Sequence, residues 1–311
     1  MVKSAPVKLE IKEAGDKILC TLARFHLLTA DLLIPAVGSL GSATTVHKNL
    51  LRLSVAKYIY RFPLATKTGK SPLVCVLGER GVKYLREERE LEVAFYRKPS
   101  EWDRFSSEWL IHPLELNKFL ISANLVGKLI SLPNGVSRIL VTECLHDFTL
   151  KSAPLVYTDG EGNKHGVIPD ALLTFGIVRN PNEARKKLTL WIELERNSHR
   201  EKAFTQKFKD IYHVIENRVF DGRFGGRTLK VCFVSTIDME HVEKMRRLAR
   251  EELLRLRSYT SPQDPQNLVF HFGLIPSLQQ EAIDTRQVFL SDYWLHPLDS
   301  EETRRYPLIR M

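Results

Sequence analysis

Long hydrophobic runs are missing from these 311 residues. No stretch reaches the roughly 18 consecutive apolar side chains that a membrane-spanning helix needs, so no membrane partner is expected. The opening MVKSAPVKLEIKEAG has no apolar core followed by a small-residue cleavage site, and does not read as a secretory leader. Cysteine is scarce. Cys20, Cys75, Cys144 and Cys232 lie far apart, each inside an apolar run. That pattern argues for reduced core thiols in a cytoplasmic protein and against a zinc or disulfide framework. His112, His146 and His199 show no HExxH-like spacing, and no Ser/His/Asp or Cys/His constellation is legible. Gly222, Gly225 and Gly226 of FDGRFGG fall between a helix pattern and a strand pattern. This is the wrong order for a phosphate-binding loop, and the segment reads as a turn.

Acidic residues are also short in one part of the chain. Residues 1–100 hold 17 Lys+Arg against 9 Asp+Glu, a net of +8, whereas the remaining residues hold 29 against 28. Almost all of the +9 excess therefore sits in the N-terminal third, the footprint expected of a surface that meets nucleic-acid phosphates. A solvated basic face without a partner would give the same count.

What is present in that third is a run of short helices. DKILCTLARF (16–25) places Ile18, Leu19, Leu22 and Phe25 on one stripe. Thr29 suits an N-cap for a second helix, Ala30–Val37, and Gly38 and Gly41 mark a turn. A third helix is predicted from about Ser42 to Ala56, with Val46, Leu50, Leu51 and Leu53 apolar. Its other face offers Thr44, Thr45, His47, Lys48 and Arg52, side chains of the kinds that contact base edges and phosphates. Two strand-like runs, KYIYRFPL and SPLVCVLG, follow, joined by a turn carrying Lys67 and Lys70. Three helices and a basic hairpin are the order of a winged helix-turn-helix, with the third helix in the major groove of double-stranded DNA and the wing lysines on the backbone. The same module used for protein contacts is the alternative. GERGVKYLREERELEVAF (78–95) reads as a closing helix, and Lys98-Pro99-Ser100 as a boundary, giving domains 1–98 and 99–311.

The longer second part reads as helix (112–131), strand (137–145, with a helix end as the alternative), a turn at Asp159-Gly160-Glu161-Gly162-Asn163, strand (VIPDALLTFGIV), strand (LTLWIELE), helix (199–216) and strand (228–236). A charged helix (239–257), a strand-like NLVFHFGLI and an irregular tail complete it. The fold class is therefore mixed α/β (α+β), and the core order α-β-β-β-α-β implies a mixed sheet flanked by helices. Strand alternation puts Glu193 and Glu195 on one face, with Ile192 and Leu194 on the other. Asp170, at the edge of the preceding strand, falls beside Glu193 if the two strands form a hairpin. Carboxylates on an apolar strand are costly unless they pair or bind a cation. Oxygen ligands of this kind suit Mg²⁺ or Mn²⁺ held by Asp170 and Glu193. Lys207, on the next helix, would bring an ammonium to the same place. The bland alternatives are a solvated edge Glu, a Pro-Asp turn and one more exposed lysine among Arg200, Lys202 and Lys209.

Three N-terminal segments, ILCTLARFHLLTADLL, HKNLLRLSVAKYIYR and VCVLGERGVKYL, together with GVIPDALLTF, WIELERN and QKFKDIY, resemble the replication-relaxation proteins of plasmids and other mobile elements. The likeness covers roughly residues 16–236 and rests on the ordered combination. The architecture is also similar to that of C-type plasmid mobilisation relaxases. The resemblance implies a winged helix followed by a PD-(D/E)XK restriction-endonuclease-like domain, with Asp170 as the PD aspartate and Glu193 as the acid of the next strand. The lysine usual two positions later is replaced by Glu195, so Lys207 would supply the cation, and Glu143 would add a further acid. The implied activity is metal-dependent, site-specific DNA endonuclease or relaxase-like nicking in mobilisation or replication, with catalytic residues Asp170, Glu193, Glu195 and Lys207. Double-stranded DNA and other mobilisation or replication proteins would be its partners. A non-cleaving regulator of replication or transcription with an inactive nuclease-like domain is the competing reading, and defence-type DNA cleavage would share the chemistry.

Overall fold

The computed structural model describes residues 9–38, 42–65, 71–102, 104–130, 138–178, 184–196, 201–225, 227–256, 269–299 and 304–310. It is a mixed α+β protein that divides into two compact units, residues 1–121 and 122–311. Among the described residues no helix is long and apolar enough to cross a membrane.

The first unit opens with α1 (Glu13–Phe25), whose Ile18, Leu19, Leu22 and Phe25 are buried as the helical stripe requires. The chain leaves α1 through His26 at φ 65° and enters a three-residue strand, β1 (Leu27–Thr29). Then come α2 (Ala30–Val37), α3 (Ala43–Val55), β2 (Ile59–Pro63), β3 (Leu73–Leu77) and α4 (Glu79–Glu88). The strands form an antiparallel sheet in the order β1-β3-β2, with Cys75 opposite both Leu28 and Arg61. Only a glycine fits at position 81, because a Cβ there would strike the Tyr58 carbonyl. That close approach seats α4 on the start of β2.

The predicted closing helix over 78–95 is cut short at Glu88. Arg89 caps it, Glu90 turns at φ 50°, and the Leu91 N–H returns to the Leu85 carbonyl at 2.9 Å. β1 was not expected, since three residues between two helices carry no readable period. A short helix, α5 (Pro99–Trp102), precedes α6 (Ser107–Leu129), the helix in which the first unit gives way to the second.

The second unit continues with β4 (Ile139–His146), α7 (Asp147–Leu150), β5 (Leu155–Thr158), β6 (Lys164–Val167), β7 (Ala171–Ile177) and β8 (Lys186–Glu195). It ends with α8 (Glu201–Glu216), α9 (Val219–Phe224), β9 (Thr228–Ser235), α10 (Met239–Leu256), β10 (Phe270–Leu274) and α11 (Thr285–Leu290). Five strands form one sheet in the order β10-β9-β8-β7-β4. β4, β7 and β8 run antiparallel, and β9 and β10 run parallel to β8. Each parallel step is bridged by a helix, α8 and then α10. β8 is central and buried from Leu188 through Leu194, which explains its nearly continuous apolar composition.

One face packs Trp191, Phe233 and Phe272 against Phe204, Phe208 and Ile211 of α8 and Val242 and Met245 of α10. β5 and β6 form a separate hairpin inserted between β4 and β7. Its Asp159 carboxylate accepts the Glu161 and Asn163 N–H groups at 2.9 and 2.8 Å. Only the turn of that hairpin was legible.

FDGRFGG is not a simple turn. Val219–Phe224 is helical, and its Phe220 and Phe224 rings, one turn apart, meet at a tilt with centroids 4.9 Å apart while Phe220 lies 6.5 Å from Trp191. The described part of the tail packs as well: Trp294 is fully buried, donates to the Val288 carbonyl at 2.6 Å, and lies against Gly273 of β10.

Candidate functional site

At the C-terminal end of β8 the hairpin with β7 stops. The last rung pairs Ala171 with Ile192, and the next residues are Asp170 and Pro169 on one side and Glu193 and Leu194 on the other. Proline has no N–H to continue the ladder. Asp170 replaces the lost rung with its side chain, its Oδ2 accepting the Leu194 N–H at 2.8 Å. Its own carbonyl accepts from Asp147 N at 3.0 Å. This fixes a carboxylate beside the base of Glu193.

Glu193 is 2% exposed. Trp191, two residues earlier and on the same strand face, donates its indole N–H to Glu193 Oε1 at 2.6 Å. Lys207, from the second turn of α8, reaches back so that its Nζ lies 3.1 Å from Glu193 Oε2 and 2.6 Å from Glu195 Oε1. Burial is the main influence on Glu193 and lifts its carboxyl to about 7. Lys207 pulls it down, the neighbouring Asp170 charge pushes it up, and the Trp191 hydrogen bond lowers it slightly. Burial alone would lower Lys207, but the charges of Glu193, Asp170 and Glu195 outweigh it and hold the ammonium above its usual range. Lys207 therefore stays cationic across the physiological range, while Glu193 sits at the edge of protonation.

The structure thus brings Asp170, Glu193, Glu195 and Lys207 to one sheet end. It does not bring Glu143 there. That residue pairs with Thr174 in the sheet, three rungs from the Ala171–Ile192 pair, roughly 10 Å along β7. Its carboxylate takes an Arg227 guanidinium and the Thr174 hydroxyl instead. The error arose from treating an acid on a neighbouring strand as adjacent without knowing its register.

Three residues around the cluster escaped the sequence reading. Trp191 was visible in principle, because i and i+2 share a strand face. Ser235 ends β9 directly opposite Glu195 in the parallel register, and its Oγ lies 2.9 Å from Nδ1 of His241. Burial lowers the His241 pKa, partly opposed by Glu195 and Asp238. These residues could be found only once β8 and β9 were known to be neighbours with their C-terminal ends together.

A divalent metal, implied by the family resemblance, can be tested against this donor set. Among the described residues no group of three or more His, Cys, Asp or Glu converges as a ready ligand cage. Two carboxylates nevertheless suit Mg²⁺, which keeps several waters and commonly takes only one or two protein carboxylates. A buried carboxyl lifted to about 7 is also the group a cation would relieve. The donors fit, with Lys207 as the charge that neutralises them otherwise.

In the first unit, α3 turns Thr44, His47, Lys48 and Arg52 to solvent, whereas Thr45 is half-buried and its carbonyl accepts from Asn49 Nδ2 at 2.8 Å. Leu51 and Val55, 59% and 76% exposed, share that side. Leu51 was expected in the core. It points outward because Val46, Leu50 and Leu53 already fill the inner stripe. Lys67 and Lys70 lie outside the described residues, as do His199 and Arg200. All four cysteines are free thiols, Cys75 and Cys232 fully buried and Cys20 and Cys144 half-buried. Comparison with protein-family models, with curated proteins and with solved structures gave no significant match, so the residues themselves carry the functional argument.

Proposed function

We propose that the protein binds double-stranded DNA through its first unit and hydrolyses a phosphodiester at the acidic end of β8. The observation that carries this reading is Glu193, almost wholly buried beside Asp170 and facing the Lys207 ammonium. A fold keeps a carboxylate in so costly a place when its charge is used. The order α1-β1-α2-α3-β2-β3, with strands arranged β1-β3-β2, supports a winged helix-turn-helix. The order α6-β4-β7-β8-α8-β9, antiparallel through β8 and then parallel, supports a PD-(D/E)XK-type domain. Both agree with the replication-relaxation resemblance and with a role in plasmid mobilisation or replication in the cytoplasm.

Asp170 and Glu193 would hold Mg²⁺ or Mn²⁺, which when bound supplies positive charge to the scissile phosphate and makes water a better nucleophile. Trp191 keeps the Glu193 carboxylate in one orientation. Lys207 offers its ammonium to a phosphate oxygen, and Glu195, released from Lys207 as it does so, orients water or accepts its proton. Water adds to phosphorus as the bridging P–O bond breaks, leaving a phosphate monoester on one strand end and a hydroxyl on the other. Purified protein with Mg²⁺ or Mn²⁺ is expected to nick supercoiled DNA carrying its element's origin, and Asp170→Ala and Glu193→Ala are expected not to. Equal absence of cutting by wild type and variants would remove the enzyme reading.

A second reading has its own support. Glu195 stands where a strand lysine is usual, and its 2.6 Å approach holds Lys207 in a closed ion pair. A DNA-binding regulator whose second unit is only a scaffold would lose binding with Lys48→Ala and Arg52→Ala, yet ignore Asp170→Asn and show no thermal shift with metal.

A further inference from the structure

The opposite end of the same sheet carries a second feature of the reverse charge. The first residues of β8 and β9 and the end of the chain enclose a cavity of about 170 Å³. Lys186, Lys187, Lys230 and Arg310 line it together with Thr228, and no lining residue is acidic. Ile177, Leu188 and Leu308 form its apolar part, the larger share of the wall. Among the described residues none of the four cations forms an ion pair. Lys230 is half-buried, and its ammonium donates to the Pro307 carbonyl at 3.0 Å. Burial lowers Lys230 to about 8, with Arg310 adding to the effect and Cys232 opposing it.

Strand alternation puts Lys186 and Lys230 on one sheet face and Lys187 on the other, so Lys186, Lys230 and Arg310 are the charges gathered at the cavity. Three like charges there repel one another, and a half-buried lysine without a carboxylate is a standing cost. An anion removes both penalties at once. We propose that this cavity binds a phosphate monoester group. A monoester carries close to two negative charges at neutral pH, which matches several converging cations better than a singly charged diester does. Lysine and arginine donors with a threonine hydroxyl form a phosphate-type donor set. The volume lies below the ~300–1,000 Å³ of pockets that enclose a whole drug-sized ligand, so the phosphate enters and the rest of the molecule projects outward. From Leu188 to Glu193 the strand spans about 15–20 Å, so this subsite is separate from the acidic end and does not depend on DNA cleavage there. A free small phosphomonoester and the terminal phosphate of a nucleic-acid strand present the same group.

The test is calorimetric titration of the full chain with inorganic phosphate, with AMP, and with an oligonucleotide carrying either a 5′-phosphate or a 5′-hydroxyl. Saturable one-to-one phosphate binding is expected, weakened about tenfold or more by Lys230→Met, in line with the removal of one charge-assisted hydrogen bond. The exposed change Lys186→Gln provides a second arm that leaves the core untouched. Tight binding of AMP identifies a small phosphomonoester. Binding of only the 5′-phosphorylated oligonucleotide, in preference to its 5′-hydroxyl twin, identifies a strand end. Either result supports the assignment. Phosphate binding that never saturates, or that both folded variants retain at wild-type strength, overturns it.

Discussion

Replacing Glu193 by Gln removes a charge that the fold holds at a cost, so the variant is expected to be more stable than the wild type at neutral pH. In the unfolded chain this carboxyl titrates near 4.5, whereas in the folded protein burial lifts it to about 7. Between those values the folded state holds a proton that the unfolded state has released. Stability therefore falls as pH rises through this window and levels off above about 7. At about 1.4 kcal/mol per pH unit, the loss is about 3 kcal/mol by pH 8. Glutamine resembles the protonated acid in shape. Its carbonyl still accepts from Trp191, and Lys207 retains Glu195.

The assay is urea unfolding of the full chain in EDTA at pH 5 and pH 8, with hydrogen exchange of β8 amides to report on the second unit. Near pH 5 the variant and wild type should nearly coincide. At pH 8 the variant should lead by up to about 3 kcal/mol. Adding Mg²⁺ should then stabilise only the wild type, by about 2.7 kcal/mol at a hundredfold excess over its dissociation constant. A variant no more stable than wild type at pH 8 would show that Lys207 overcompensates for burial. A gap that persists unchanged at pH 5 would show that the effect is not ionisation at all.

Other consequences concern neighbouring side chains and the first unit. Lys207→Met should cost about 1–2 kcal/mol at pH 8 in urea unfolding, and less at pH 5, where Glu193 is protonated and only the contact with Glu195 is lost. The effect is below that for a fully buried pair because Lys207 is 36% exposed and Glu193 can take a proton instead. Lys48→Ala and Arg52→Ala should each weaken DNA binding across sequences and reduce the log–log salt slope by about 0.9 for each phosphate that is no longer neutralised, as read by fluorescence anisotropy. An unchanged slope would instead turn the α3 face, with its exposed Leu51 and Val55, towards a protein partner. Gly273→Ala should destabilise the second unit by about 1–3 kcal/mol, because the new Cβ would meet the fully buried Trp294 ring at 2.8 Å.

Local period made much of this chain readable. The stripe of α1, the span Ala30–Val37, the alternating face of β8 and the α8 and α10 helices are all encoded within a few residues of themselves. The expected juxtaposition of Asp170 and Glu193 also needed only a hairpin between neighbouring strands. What stayed hidden depends on register between segments distant in sequence. β1 exists because Leu27–Thr29 finds Val74–Val76, and Glu143 belongs to Arg227 because the β4–β7 register sets it opposite Thr174, three rungs from the site. Ser235 faces Glu195 only through the parallel pairing of β8 with β9.

The same dependence decides what Lys207 means. In sequence it is one cation among several on a charged helix. In the fold, α8 returns antiparallel to β8 on its way to a parallel β9, so its second turn must pass over the strand end where Glu193 and Glu195 emerge. A lysine there meets two carboxylates whether or not the strand itself carries one. For that reason a helix, rather than the strand itself, delivers the cation to the acidic end of β8.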